Sequence, residues 1–257
     1  MSRGGILRRV IGVVSGKGGV GKTVTAANLA LAMQEMGKQV VCIDADVTAS
    51  NLALQLDMHP NPEITLQDAL EGKVDVLKTI TLHDTGLMLI PSSLALEQEG
   101  LDREKFKRLL DRLSGYVIID APPGLNEDVH TIIDVSDELL IVTNPEIPAV
   151  ADAMRVAEAI RRKKGEEAAL GIVLTKSENA SYEVSEREIE SATELPILVK
   201  VPHDRETKKS IASRIPLVHY NPHAKAAIEY RRLAAIILGE DYKPPFFAPI
   251  RRLFNWI

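Results

Sequence analysis

The sequence carries one cysteine, Cys42, in 257 residues. A single thiol forms no internal disulfide, and there is no cysteine cluster for zinc or an iron–sulfur centre, so a reducing cytoplasm is the expected setting. No stretch reaches the ~18 apolar residues needed to span a bilayer, so a soluble protein is expected. Aromatic residues are scarce, ten in all. An excess of positive charge is also missing: the net charge is -5, which argues against a surface that grips nucleic acid everywhere, although a local basic patch escapes that argument. The histidines (His59, His83, His130, His203, His219, His223) show no ligand spacing and read as structural or surface residues. Arg3, Arg8 and Arg9 precede an apolar run at 10–14, but that run is too short for a signal peptide and leads into a glycine loop rather than a cleavage site.

What is present suits one α/β domain: 45% of the chain is hydrophobic and 26% charged. Apolar runs predict strands at 10–15, 39–44, 87–91, 116–120, 138–143, 170–175 and 197–201. The runs VVCID, YVIID, LLIVT and GIVLT lack polar alternation, which marks strands covered on both faces. Helical patterns lie between them at 23–36, 103–113, 147–162, 185–193 and 222–238. The alternation predicts a doubly wound α/β fold, a mostly parallel sheet with helices on both faces. The expected organisation is a domain over 1–239, a spacer over 240–245 that contains Pro244 and Pro245, and a distinct tail over 246–257.

Gly16-Lys17-Gly18-Gly19-Val20-Gly21-Lys22-Thr23 fits G-x-x-x-x-G-K-[ST], between an apolar strand and a helical segment. The glycines let the backbone turn its N–H groups onto phosphate oxygens, and the helix that follows presents its positive end to the same anion. Lys22 offers a point charge to the β and γ phosphates, and the Thr23 hydroxyl suits Mg²⁺. An ATP-binding, ATP-hydrolysing protein is therefore expected.

Two aspartate groups end other strands: Asp44-Ala45-Asp46, and Asp120 before Ala121-Pro122-Pro123-Gly124. Ligands of open α/β sheets collect at carboxyl strand ends, so both should face the phosphate loop. Asp120, the residue that closes YVIID, fits a carboxylate that holds Mg²⁺ with Thr23 and Asp46, partly through water. Asp46 is the candidate for orienting or activating the attacking water, with Asp44 in support. Asp44 also fits an Asx-type turn at a strand end. Pro122-Pro123-Gly124 has the composition of a switch loop or of an ordinary turn.

Lys17 gives the loop a second lysine, K-G-G-V-G-K-T. With this feature the sequence resembles the deviant Walker A ATPases, the MinD/ParA family, over roughly residues 9–239. The resemblance implies that Lys17 reaches across an ATP-dependent homodimer to the partner's nucleotide; a solvated loop lysine is the bland alternative. The family's D-x-D followed by N-L matches Asp44, Asp46, Asn51 and Leu52, and its T-x-P-E matches Thr143 to Glu146. Its N-[RK] beside the adenine falls on Thr175 and Lys176, and its [IV]-P-x-D on Val201, Pro202, His203 and Asp204, so the resemblance places Thr175, Pro202, His203 and Asp204 at the base.

The tail concentrates the scarce aromatics: Phe246, Phe247, Phe254 and Trp256 lie in its last twelve residues. Ile250, Leu253, Phe254 and Ile257 recur on one helical face, with Arg251 and Arg252 largely on the other, and Pro249 suits a helix start. A helix docked on the domain is one reading. An interfacial helix on an anionic membrane is the other, and MinD-like proteins end in such a helix. The resemblance implies a MinD-like switch, cytoplasmic and peripherally membrane-associated, that positions partner proteins and answers to an unidentified protein activator. The alternative is a ParA-like ATPase that binds DNA through Arg155, Arg161, Arg162, Lys163, Lys164, Lys208 and Lys209. Iron–sulfur carriers of the superfamily are excluded by the cysteine count.

Overall fold

The apolar runs assemble into one sheet. The computed structural model describes residues 8–46, 52–58, 64–93 and 100–243. Among these the strands are β1 Arg9–Val14, β2 Val40–Asp44, β3 Thr81–Leu82, β4 Met88–Ile90, β5 Tyr116–Asp120, β6 Glu138–Thr143, β7 Ala169–Ser177 and β8 Ile197–Pro202. Their order is β3-β4-β2-β5-β1-β6-β7-β8. Every pairing is parallel except β3 with β4. The helices are α1 Lys22–Glu35, α2 Leu52–Gln55, α3 Leu66–Leu70, α4 Val76–Thr79, α5 Arg103–Leu110, α6 Glu127–Val135, α7 Ile147–Lys164, α8 Glu186–Thr193, α9 Arg205–Ala212, α10 Leu217–Tyr220 and α11 Lys225–Leu238.

Each central strand serves two cores, because successive side chains leave a strand on opposite faces. In β5, Ile118 packs with Leu29 and Met33 of α1 and with Tyr230 and Leu233 of α11. Its neighbours Val117 and Ile119 pack on the other face with Phe106 of α5, Ile132 and Ile133 of α6, and Val156 and Ile160 of α7. Each such side chain contributes roughly 1.5–3 kcal/mol by leaving water. The doubly wound α/β fold is thus present, and its parallel strands bring the carboxyl ends of β1, β2, β5, β6, β7 and β8 to one edge. No helix among the described residues is long and apolar enough to cross a membrane.

Six helices among the described residues were not foreseen from periodicity: the short α2, α3, α4 and α10, each of four or five residues, and the longer α6 and α9. α6 begins straight after Pro122-Pro123-Gly124, capped by the Asn126 side chain, which accepts the Val129 N–H. α9 is polar almost all round, with Ser210 its only buried residue, so it carries no apolar stripe to read. Boundaries also move. α11 begins at Lys225 rather than 222, because the Ala224 N–H closes a turn onto the Asn221 carbonyl. It ends at Leu238, followed by Gly239 in the left-handed region (φ 67°). The tail, Phe246 to Ile257, lies outside the described residues.

Candidate active site

β1, between β5 and β6, delivers the chain into the glycine loop. α7 packs so closely behind the loop that a Cβ on Gly16 would lie 2.6 Å from the Asp152 main chain. Gly19 and Gly21 take positive φ (78° and 94°), a conformation side chains disfavour and one that gathers successive N–H groups into a concavity. α1 then opens at Gly21 with no side-chain cap and no acidic residue in its first turn. Its first N–H groups and its positive dipole end therefore remain for an anion.

The two loop lysines are disposed oppositely. Lys22 is buried, and its Nζ donates to Asp120 Oδ1 at 2.7 Å, where the Asp120 side chain is 1% exposed. Lys17 stands at the rim, 44% exposed, 3.2 Å from Glu146 Oε2. An ion pair that exposed holds its lysine by at most ~1 kcal/mol.

Asp44 and Asp120 are register partners on adjacent strands, β2 and β5. Asp44 is fully buried, and its carboxylate accepts the N–H groups of Asp46 and Leu52, each at 3.2 Å. It thus makes the Asx-type turn and ties α2 to the end of β2. Asp46 lines the cavity described next. The Pro122-Pro123-Gly124 segment touches the phosphate loop: the Gly124 N–H donates to the Ser15 carbonyl at 2.9 Å.

A cavity of about 570 Å³ opens on the loop. It brings together Lys17, Gly18, Gly19, Gly21, Lys22, Thr23 and Asp46 with Thr175, Pro202, His203 and Asp204, residues far apart in sequence. Gly16, Val20, Asp44 and Asp120 are not among the residues that line it. Asp204 lines the cavity while its carboxylate caps α9, accepting the Glu206 N–H at 3.0 Å. His203 Nδ1 meets Glu178 Oε1 at 2.6 Å. The Thr175 hydroxyl turns to main-chain carbonyls, Thr143 O at 3.0 Å among them. Sequence reading missed Tyr230, which also lines the cavity, and it placed Lys176 only through the adenine motif and Lys208 only in the DNA alternative, whereas both line the cavity too. Tyr230 arrives from α11, where no motif marks it, and burial pushes its hydroxyl up to about 12. Four lysines (Lys17, Lys22, Lys176, Lys208) face two carboxylates (Asp46, Asp204) across the cavity, a balance that suits an anion.

The residues fit a nucleotide with a hard cation. The cavity has the size of a small-ligand site, and the donors near it, Thr23, Asp46 and Asp120, are oxygens. Among the described residues no group of three or more His, Cys, Asp or Glu is placed to hold a metal ion. Mg²⁺ does not require one, because it keeps several waters and binds through one or two carboxylates plus phosphate oxygens. An anion on loop amides beside a buried lysine and strand-end carboxylates is the arrangement of P-loop nucleotide hydrolases.

Comparison with known proteins narrows this class. The ParA family profile, described as "NUBPL iron-transfer P-loop NTPase", matches residues 6–238. An uncharacterised ATP-binding protein of Methanocaldococcus jannaschii is 34% identical over 96% of this chain and 98% of its own. The cell division ATPase MinD of Pyrococcus furiosus superposes with a TM-score of 0.80 at 33% identity, covering 90% of this chain and 98% of that one. The septum site-determining protein MinD of Pyrococcus horikoshii, complexed with Mg-ADP, gives 0.80 at 31% identity, with coverage of 90% and 96%. The chain belongs to the MinD/ParA family of P-loop ATPases, as a MinD-like member, and is an ATPase. Iron transfer finds no cysteine set here: Cys42 is fully buried, and burial holds its thiol well above the usual range.

Most cations of the basic run of α7 are paired. Arg155 pairs with Asp152, Arg161 with Glu158 and Glu194, Arg162 with Glu158, and Lys163 with Asp134. Lys164 donates to the Ser136 carbonyl, and Lys209 pairs with Glu206. Cations that mostly have a carboxylate beside them already, with Glu158 shared by two arginines and Lys164 on a carbonyl, make a weaker strip for DNA phosphates.

Proposed function

We propose that this MinD-like ATPase is a switch that forms a homodimer on ATP and cycles on the membrane to position partner proteins. The observation that carries this reading is the opposite placement of the two loop lysines. Lys22 is committed inward, whereas Lys17 is held at the rim by a weak surface pair. A cation already inside the site serves its own nucleotide. A cation at the mouth is placed to serve a second protomer's transition state, which couples turnover to dimerisation. Size-exclusion chromatography tests the coupling: a dimer with ATP and a monomer with ADP is expected, and an elution position indifferent to nucleotide sinks it.

Within one site, the loop amides from Gly16 to Thr23 bind the phosphates. When Lys22 turns to a phosphate oxygen, Asp120 loses its counter-charge and becomes free to help hold a divalent cation, which would offset that charge. Thr23, Asp46 and Asp120 are the residues that would hold Mg²⁺, which supplies charge neutralisation at the phosphates. Asp46, in the lining of the cavity, orients or accepts the proton of the attacking water, and Asp44 fixes its main chain. Thr175, Pro202, His203 and Asp204 border the space for the nucleoside. A positioned base contributes ~10²–10⁴-fold, so Asp46→Ala should slow hydrolysis on that scale while ATP still binds. Steady-state turnover beside equilibrium ATP binding checks this, and normal hydrolysis removes the role.

Residues 1–239 form the ATPase unit, 240–245 a spacer and 246–257 the membrane segment. Phe246, Phe247, Ile250, Leu253, Phe254, Trp256 and Ile257 would enter the interface, and Arg251 and Arg252 would meet anionic headgroups. Each large apolar side chain contributes roughly 1.5–3 kcal/mol and each arginine about 1. Ordering the backbone costs ~1–2 kcal/mol per residue, so one tail binds marginally. Two tails on one dimer gain a factor of ~10²–10⁴. Sedimentation with anionic liposomes should show more binding with ATP than with ADP, lost on deletion of 246–257. Equal binding in both nucleotides refutes the switch, and binding that survives the deletion refutes the anchor. A protein activator belongs to this reading as well, as the factor that ends membrane residence by stimulating hydrolysis.

A further inference from the structure

At the end of β7 the alternation of a strand is broken. Lys176 has φ 54°, and the register with β8 shifts between Leu174 and Ser177. In a regular strand Thr175 and Lys176 point to opposite faces. A bulge built on a left-handed residue re-aims one of them. Here both reach the phosphate loop. Thr175 Oγ1 is hydrogen-bonded to the Val20 carbonyl and lies 3.0 Å from the Thr143 carbonyl. Lys176 Nζ donates to the Gly19 carbonyl. Two consecutive residues of β7 thus hold two consecutive carbonyls of the loop.

The consequence follows from peptide planarity. In a trans peptide the C=O of one residue and the N–H of the next point in opposite directions, and no cis peptide occurs among the described residues. Fixing the Val20 carbonyl toward β7 turns the Gly21 N–H away from it, and fixing the Gly19 carbonyl does the same for the Val20 N–H. Among the described residues neither of these amides donates to a protein acceptor. Both belong to the loop segment that leads into α1. Thr175 is 3% exposed, and a Cβ on Gly21 would sit 3.7 Å from its hydroxyl, so the contact is close and dry. A hydroxyl has one proton to give, and here both of its partners within reach are main-chain carbonyls.

We infer that Thr175 is a positioning residue for the polyphosphate, not a reader of the base: it aims the Val20–Gly21 peptide, and Lys176 assists on the peptide before it. The inference rests on the loop being the triphosphate site. Calorimetric titration of the full-length chain with magnesium tripolyphosphate, MgATP and MgGTP tests it. Thr175→Val should weaken tripolyphosphate and ATP alike by about tenfold, the effect of one hydrogen bond lost. The ATP:GTP ratio should stay at its wild-type value, and Thr175→Ser, which keeps the hydroxyl, should restore affinity. Lys176→Met, at an exposed position, should show a smaller loss of about threefold. Wild-type tripolyphosphate affinity in Thr175→Val, or a change confined to the ATP:GTP ratio, overturns the inference. Should Thr175→Val fail to fold in a melting control, unchanged tripolyphosphate binding in Lys176→Met overturns it instead. A wild-type protein that binds neither ATP nor tripolyphosphate overturns the underlying site reading, a result distinct from the others.

Discussion

Lys22→Ala is expected to lower ATP turnover by at least ~10³-fold and, separately, to destabilise the protein with no nucleotide present. The first effect is the loss of the only buried cation that the described residues contribute to the lining of the cavity. The second comes from what is left behind. Lys22 Nζ sits 2.7 Å from Asp120 Oδ1, and Asp120 is 1% exposed. Removing one partner of such a pair strands a buried charge and costs ~3–5 kcal/mol. For a domain of this size that lowers the melting temperature by about 10 °C. The control is the double variant Lys22→Ala/Asp120→Ala. Deleting both charges abolishes the stranded carboxylate, so the double variant should recover most of the stability and none of the activity. Calorimetric melting and phosphate release measure the two effects independently. A Lys22→Ala protein that melts like wild type would mean that the buried pair does not hold in solution. One that hydrolyses ATP like wild type would remove Lys22 from the chemistry.

The sequence announced those parts of the site whose chemistry demands a fixed spacing. The glycine loop needs eight consecutive residues, and a carboxylate after an apolar run needs only the strand that carries it, so both were legible. The contribution of β7 was legible only as a position. Thr175 was expected beside the base, because nothing in the sequence says where a threonine hydroxyl points once a bulge has turned the next residue. Lys208 and Tyr230 reach the cavity from α9 and α11, elements remote in sequence from the loop, and no local pattern links them to it. α9 escaped notice because a polar helix has no apolar stripe. α6 was within reach of the sequence: Asn126 three residues before Val129, then Ile132 and Ile133, is a capped amphipathic start that the preceding Pro-Pro-Gly obscured. Asp44 shows the remaining ambiguity. Catalytic and turn-forming aspartates look alike at a strand end, and only the two N–H groups on its carboxylate reveal the turn.

Lys17→Ala should reduce ATP turnover by ~10³–10⁵-fold, the range for a cation delivered to a phosphoryl-transfer transition state. The fold should survive, because the side chain is 44% exposed and its contact with Glu146 is a surface pair worth ~0–1 kcal/mol. Loss of activity alone does not distinguish a lysine acting in its own site from one acting in a partner's, but symmetry does. In a two-fold dimer each site would take Asp46 from its own protomer and Lys17 from the other. Lys17→Ala and Asp46→Ala proteins, each inactive alone, then form a mixed dimer with one complete site. That site has the Asp46 of the Lys17→Ala protomer and the Lys17 of the Asp46→Ala protomer. With free exchange half the dimers are mixed, so roughly a quarter of wild-type turnover should return. A lysine acting within its own site predicts no recovery at any mixing ratio, since neither protomer then holds both residues. A solvated loop lysine predicts near-wild-type turnover for Lys17→Ala before any mixing. Recovery on mixing, rising with total protein concentration, is the result that only a lysine crossing the dimer produces.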